Sequence, residues 1–198
     1  MTPLPRSFYS REPSVVAREL LGTLLLRQTR EGLVGGRIVE TEAYLAEGDT
    51  SSHSHRGKTQ RNASMFGPAG HAYVYTIHAK WCVNVVTEEV DRGSAVLVRA
   101  IEPLFGLPLM QQRRGREKLL ELARGPARLC QALAIDRQLD GWDLTLGEEL
   151  WIGEGPPEPT REPIVASPRI GISSATDLLL RFYYEGNTFV SGRRSPRK

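Results

Sequence analysis

The segment Arg37-Ile38-Val39-Glu40-Thr41-Glu42-Ala43-Tyr44 carries the residues of this chain best placed to do chemistry. In an extended strand side chains alternate between faces, so Ile38, Glu40, Glu42 and Tyr44 share one side and Val39, Thr41, Ala43 and Leu45 the other. The pattern predicts a half-buried strand with two carboxylates beside an aromatic ring. A second alternating run, His71 to Ile77, brings Tyr73 and Tyr75 to one face. An acid between two tyrosine-bearing strands suits a flat ligand such as a nucleobase. Two carboxylates two residues apart on a strand stand roughly 7 Å apart, close to the spacing of an inverting sugar hydrolase, so geometry leaves that chemistry open too. The plainer alternatives are an ion pair between Glu40 and Arg37 or Arg99, and tyrosines that only pack across strands.

These residues need elements to hold them. Val15 to Leu21 has helical apolar spacing, and after Gly22 the run Thr23 to Arg27 is strand-like. Gly32, Gly35 and Gly36 are expected to form the turn before the acidic strand. The polar stretch Glu47 to Gly70 is long for a loop in a compact domain, which marks it as a lining of the site. Strands are expected at Ala72 to Ile77 and Trp81 to Thr87, joined at a polar tip, His78-Ala79-Lys80. Ser94 to Ile101 is another strand, and Arg99 on its otherwise apolar face requires an anionic partner or an exit to water. Helices are expected over Gln111 to Ala123 and over Gly125 to Ile135, the second opening on Gly125-Pro126. Short strands follow at Glu149 to Ile152, Ile164 to Ser167 and Leu179 to Tyr184. The sum is an α+β domain on an antiparallel sheet, one domain over 1–198 with 1–12 and 192–198 as flexible tails.

Composition narrows the class. The chain has 198 residues, 40% hydrophobic and 25% charged, as expected for one folded domain. It has no apolar run long enough for a membrane span and no signal-peptide pattern, so a cytoplasmic protein is expected, nucleoid-associated if bacterial. Cys82 and Cys130 lie far apart in apolar contexts and suit buried free thiols. His53 and His55 with Cys82 do not complete a zinc set, and no metal or other cofactor is expected. The net charge is only +3, yet the bases cluster at His53 to Arg61, at Arg113 to Arg128 and at Arg193 to Lys198. Such patches fit either a solvated surface or a polyanion.

Taken together, these blocks resemble the 3-methyladenine (alkyladenine) DNA glycosylase family, from about Ala17 to about Ser191. The resemblance rests on Gly36 to Tyr44, Arg61-Asn62, Met65-Phe66, Tyr73-Val74-Tyr75, Val98 to Pro103, Gly125 to Leu133 and Pro168 to Ile172, in that order. It implies a single domain with a curved antiparallel sheet, flanking helices and a protruding hairpin inserted into DNA. It implies double-stranded DNA containing damaged purines as the partner, with no obligate protein partner. Such an enzyme flips the damaged base out, because neither the sugar carbon nor the base edge can be reached in the stack. By the same resemblance Glu42 would activate the attacking water, helped by Arg99 and the main-chain carbonyl of Ile170. Tyr44 and Tyr75 would stack on the flipped base, His53 would bond its edge, and Asn84 would crowd out guanine or pin the hairpin. Arg61, Arg128 and Arg137 would meet phosphates. Where the best-known family form has an inserted tyrosine this chain has His78, with Lys80 or Trp81 able to share the task, and the smaller apolar area implies weaker support for unstacking.

Alkylated purines are cationic, so tyrosine faces favour them over normal bases by about 1 to 2 kcal/mol when desolvated. They leave without much protonation, so one ionised carboxylate, kept charged by Arg99, can serve both water and the developing sugar cation. No lysine is placed as a nucleophile, which implies hydrolysis without strand cutting. The rival from another class is a non-catalytic nucleic-acid-binding domain with the same patches and exposed aromatics.

Overall fold

Strand β2, Gly32–Tyr44, organises the molecule because its two halves have different neighbours. In the computed structural model, which describes residues 1–155 and 162–192, its first half pairs with β1 (Leu24–Thr29) and its second half with β8 (Arg181–Tyr184). Along its other edge it pairs with β5, Ser94–Phe105. The sheet runs β3-β4-β5-β2-β1-β6, where β3 is Ala72–Ile77, β4 Lys80–Thr87 and β6 Leu150–Gly153. The short β7, Ile164–Ser167, extends it beyond β8. Every described pairing of these strands is antiparallel. The result is the expected α+β fold on a curved antiparallel sheet, here a half-barrel.

β2 is buried on both faces rather than half-buried, with Ile38 to Ala43 all inaccessible. Helix α2, Pro13–Glu19, covers one side, and the Thr41 hydroxyl donates to the Ala17 carbonyl at 2.8 Å. The segment 162–192 covers much of the other. Gly35 and Gly36 lie inside the strand, and the turn falls at Arg30-Glu31 instead. A Cβ at Gly36 would stand 2.0 Å from the Glu102 carbonyl oxygen, so close approach between strands explains the glycine there.

A further correction concerns the end of a helix. Helix α3 spans Leu107–Arg114, ending where Gly115 turns left-handed, and only a short 3₁₀ turn, Leu119–Glu121, occupies the rest of the expected helix. Over the first twelve residues Leu4 and Tyr9 are buried, and the others are exposed or half-buried. Helix α1, Arg6–Tyr9, ends on the fully buried Tyr9, while Arg6 bonds Asp143 at 2.5 Å. Helix α4, Pro126–Leu133, begins at the expected proline and buries Leu129, Cys130, Ala132 and Leu133 against β4 and β5. The tail expected over 192–198 lies, beyond Gly192, outside the described residues, as does the basic cluster Arg193 to Lys198.

Candidate active site

A cavity of about 730 Å³ opens between the long segment after β2, the β3–β4 hairpin and the segment before β8. Tyr44, His53, Tyr75, His78, Asn84, Arg99 and Ile170 all line it, so the structure gathers these expected site residues from across the chain. The loop over 47–70 supplies one wall through Thr50 to Arg56, and Met65 with it.

Glu42 lies under the cavity floor, fully buried, and its three partners all line that cavity. Its Oε2 accepts from Arg99 Nη1 and from the Tyr44 hydroxyl, both at 3.1 Å. Its Oε1 accepts from the Ile170 backbone amide at 2.8 Å. Glu40, on the same side of β2, is tied into protein. Its Oε1 accepts from Arg99 Nε at 3.0 Å and Arg181 Nε at 2.7 Å, and its Oε2 from the Ser191 amide at 2.6 Å. The ion-pair reading of Glu40 therefore holds for Arg99, while Arg37 turns to Glu102 and Glu162.

The ladder explains how one arginine reaches two acids. Between β2 and β5 the register shifts around Glu40, the pairing passing from Ile38↔Ile101 to Glu40↔Ala100 to Thr41↔Val98. Val39 and Arg99 are left unpaired by this irregularity, which aims the Arg99 side chain along the face instead of straight across it. Burial alone would lower the pKa of this guanidinium, but Glu42 and Glu40 outweigh it and push the pKa up.

The aromatic wall is layered. Tyr73 and Tyr75 stack with centroids 5.2 Å apart, and His53 meets Tyr75 edge-on at 4.5 Å. His53 Nδ1 and the Tyr73 hydroxyl are 2.8 Å apart, and burial lowers the imidazole pKa, which favours the neutral ring; among the described residues Nε2 has no hydrogen-bond partner. Burial likewise raises the phenols of Tyr44 and Tyr75, which stay protonated. Cys82 also lines the cavity, its thiol pushed up to about 11 by burial first, and so remains an unreactive thiol at neutral pH. Asn84 donates from Nδ2 to the Tyr73 carbonyl at 3.0 Å, so it pins the hairpin and lines the cavity together.

Basic clefts flank this cavity on both sides of the hairpin. One is formed by Lys80, Arg124 and Arg128 and shares Arg99 and Ile170 with the main cavity. The other, along β3, is formed by Arg56, Arg61 and Arg137 with Trp81. Sequence reasoning missed Arg124, Arg181 and the buried pair Asp49–Arg169. Arg169 sits beside Ile170 and could have been weighed with it, whereas Asp49 lies in an irregular loop with no periodic signal.

The sequence profile of the methylpurine-DNA glycosylase family matches residues 7–188. The chain belongs to that family, and with it to the DNA N-glycosylases, hydrolases that cut the bond between base and sugar in base-excision repair. A relative from Methanoculleus marisnigri is 52% identical over 96% of this chain and 99% of its own length. One from Rhodopirellula baltica is 49% identical over 98% of this chain and 87% of its own, and one from Carboxydothermus hydrogenoformans 49% identical over 95% and 98%. All three bear the provisional name 3-methyladenine DNA glycosylase.

Proposed function

We propose that this enzyme flips an alkylated or deaminated purine out of double-stranded DNA and releases it by hydrolysis with a water activated by Glu42, leaving an abasic site. The substrates are of the 3-methyladenine, 7-methylguanine, hypoxanthine and ethenoadenine class, and the relatives' name favours the first. The observation that carries this reading is Glu42 itself, a carboxylate beneath an aromatic cavity and bonded, among the described residues, only to groups that line it.

The flipped purine rests against Tyr44 and Tyr75, with His53 Nε2 at its edge and Asn84 close to its amino group. Glu42 accepts three hydrogen bonds, two at Oε2 and one at Oε1, so Oε1 keeps an acceptor site for water beside the Ile170 amide. The Tyr44 ring stays in place as the base packs against it, and a water bonded at the remaining site on Oε1 faces the sugar. The carboxylate then accepts the water's proton and offsets positive charge on the sugar as the base departs. Arg99 keeps its own charge beside the reacting centre because Glu40 anchors its other edge. His78 fills the gap left in the stack.

The test is a set of duplexes, each with one lesion, scored for alkali-labile abasic sites. The enzyme should act on at least one, and Glu42→Gln should lower release on the order of a hundredfold while DNA binding is retained or tightened. Unchanged release in that variant would remove Glu42 from the mechanism. Tight binding with no release from any lesion would instead favour the non-catalytic reading.

A further inference from the structure

A second buried ion pair stands beside the cavity, separate from Arg99 and its acids. Asp49 and Arg169 are joined by two bonds of 2.6 Å, and neither side chain is exposed. Each residue anchors a different wall. Asp49 opens the loop after β2 and accepts from the amides of Leu45 and Ser51, both at 3.1 Å. Arg169 lies between β7 and β8, donates to the Ala43 carbonyl on β2 at 3.0 Å, and places its guanidinium 4.6 Å from the centre of the Tyr44 ring. The next peptide group along is the Ile170 amide that bonds Glu42. One planar cation therefore touches the ring, the strand and the segment that together fix the acid.

We propose that the Asp49–Arg169 pair is a positioning device for base excision, locking the Tyr44 ring and the Ile170 amide so that the Glu42 carboxylate keeps its orientation. The inference rests on the reading of Glu42 given above. Stability alone is a poor reason for the pair, because buried ion pairs can often be replaced by apolar residues without loss. Charge alone is a poor reason too, because lysine would supply it. Only arginine gives two parallel bonds to Asp49 and a flat face for Tyr44. The charges are fixed as the geometry needs: burial opposes ionisation of Asp49, but Arg169 and two backbone amides outweigh it and hold its carboxyl below the usual range.

The experiment compares wild type, Arg169→Lys and the double variant Asp49→Asn/Arg169→Met on the lesion that wild type releases best. It reads three quantities: single-turnover release, affinity for a duplex carrying an uncleavable abasic analogue, and the melting temperature. Release by both variants should fall about tenfold or more, since small displacements of a reacting group cost that much. Affinity should stay within about threefold of wild type, because the phosphate-facing clefts are untouched. An Arg169→Lys protein that releases base within about twofold of wild type overturns the proposal. So does one whose affinity falls in step with its rate, or one that fails to fold, since the pair would then serve binding or stability. Failure of the underlying reading looks different: wild type would release nothing, or Glu42→Gln would match it.

Discussion

Glu40 and Glu42 have the same side chain, the same strand face and the same lack of exposure, and their partners alone separate them. Glu40 compensates two arginines, Arg99 and Arg181, and takes the Ser191 amide as well. Glu42 shares only Arg99 and otherwise meets neutral donors that line the cavity. The sugar-hydrolase alternative, which needs two carboxylates free to act on a sugar, thereby loses its second one. Removing one partner of a buried charge network costs about 3 to 5 kcal/mol, because the remaining charge stays buried without compensation. Glu40→Gln should therefore lower stability by that order, seen as a fall in the urea midpoint with an unchanged slope. Glu42→Gln leaves Arg99 its bond to Glu40 and should cost clearly less stability while lowering release on the order of a hundredfold. An equal or reversed ranking in urea would show that the two acids have been assigned the wrong way round.

At the scale of the element, the proposed reading makes the hairpin of β3 and β4 the wedge that enters DNA. Its tip is two residues, His78 and Ala79, with φ of 47° and 59°, and Lys80 is already in β4 paired with Ile77. Two consecutive left-handed residues make the tight connection whose twist suits a hairpin, usually built from asparagine and glycine. Here the backbone holds a histidine there, exposed and at the mouth of the cavity. If His78 replaces the extruded base in the stack, His78→Ala should slow excision at a well-paired lesion more than at a mispaired one, whose unstacking costs less. Equal slowing of matched and mismatched substrates, measured in single turnover, would deny it that role. The hairpin was legible because period-two tyrosines and a short polar tip are local signals, as was the shared face of Glu40, Glu42 and Tyr44. The need of Arg99 for an anion was legible too, since an apolar strand face offers it nothing else. The glycines within β2, the early stop of α3 and the burial of Leu4 and Tyr9 depend on strand approach and tertiary cover that periodicity does not carry. The Asp49–Arg169 pair spans 120 residues between two irregular loops, and no pattern within either loop announces it.

At the scale of the whole molecule, a net charge of +3 is too small to argue for a polyanion by itself. Placement is what matters. Many of the bases are spent on acids: Arg37 on Glu102 and Glu162, Arg169 on Asp49, Arg92 on Glu47 and Glu88. Those around the hairpin are not: among the described residues Lys80, Arg56, Arg61, Arg124, Arg128 and Arg137 form no ion pair, and they divide into one cleft on each side of it. Such a layout suits a duplex crossing the hairpin with its phosphates held on both flanks and the lesion over the cavity between. Counterion release then governs affinity, so binding of an undamaged duplex should weaken steeply with salt, with a log–log slope of about 0.9 for each phosphate neutralised. Replacing Arg61, Arg128 or Arg137 with alanine should each lower that slope by about one, and should weaken all sequences alike, because backbone contacts carry no base information. The measurement is cleanest in the Glu42→Gln background, where no substrate is consumed during the titration. A slope that stays the same in all three variants would move the duplex off these clefts, and a flat salt response in the parent would leave the cavity without the DNA that brings it a base.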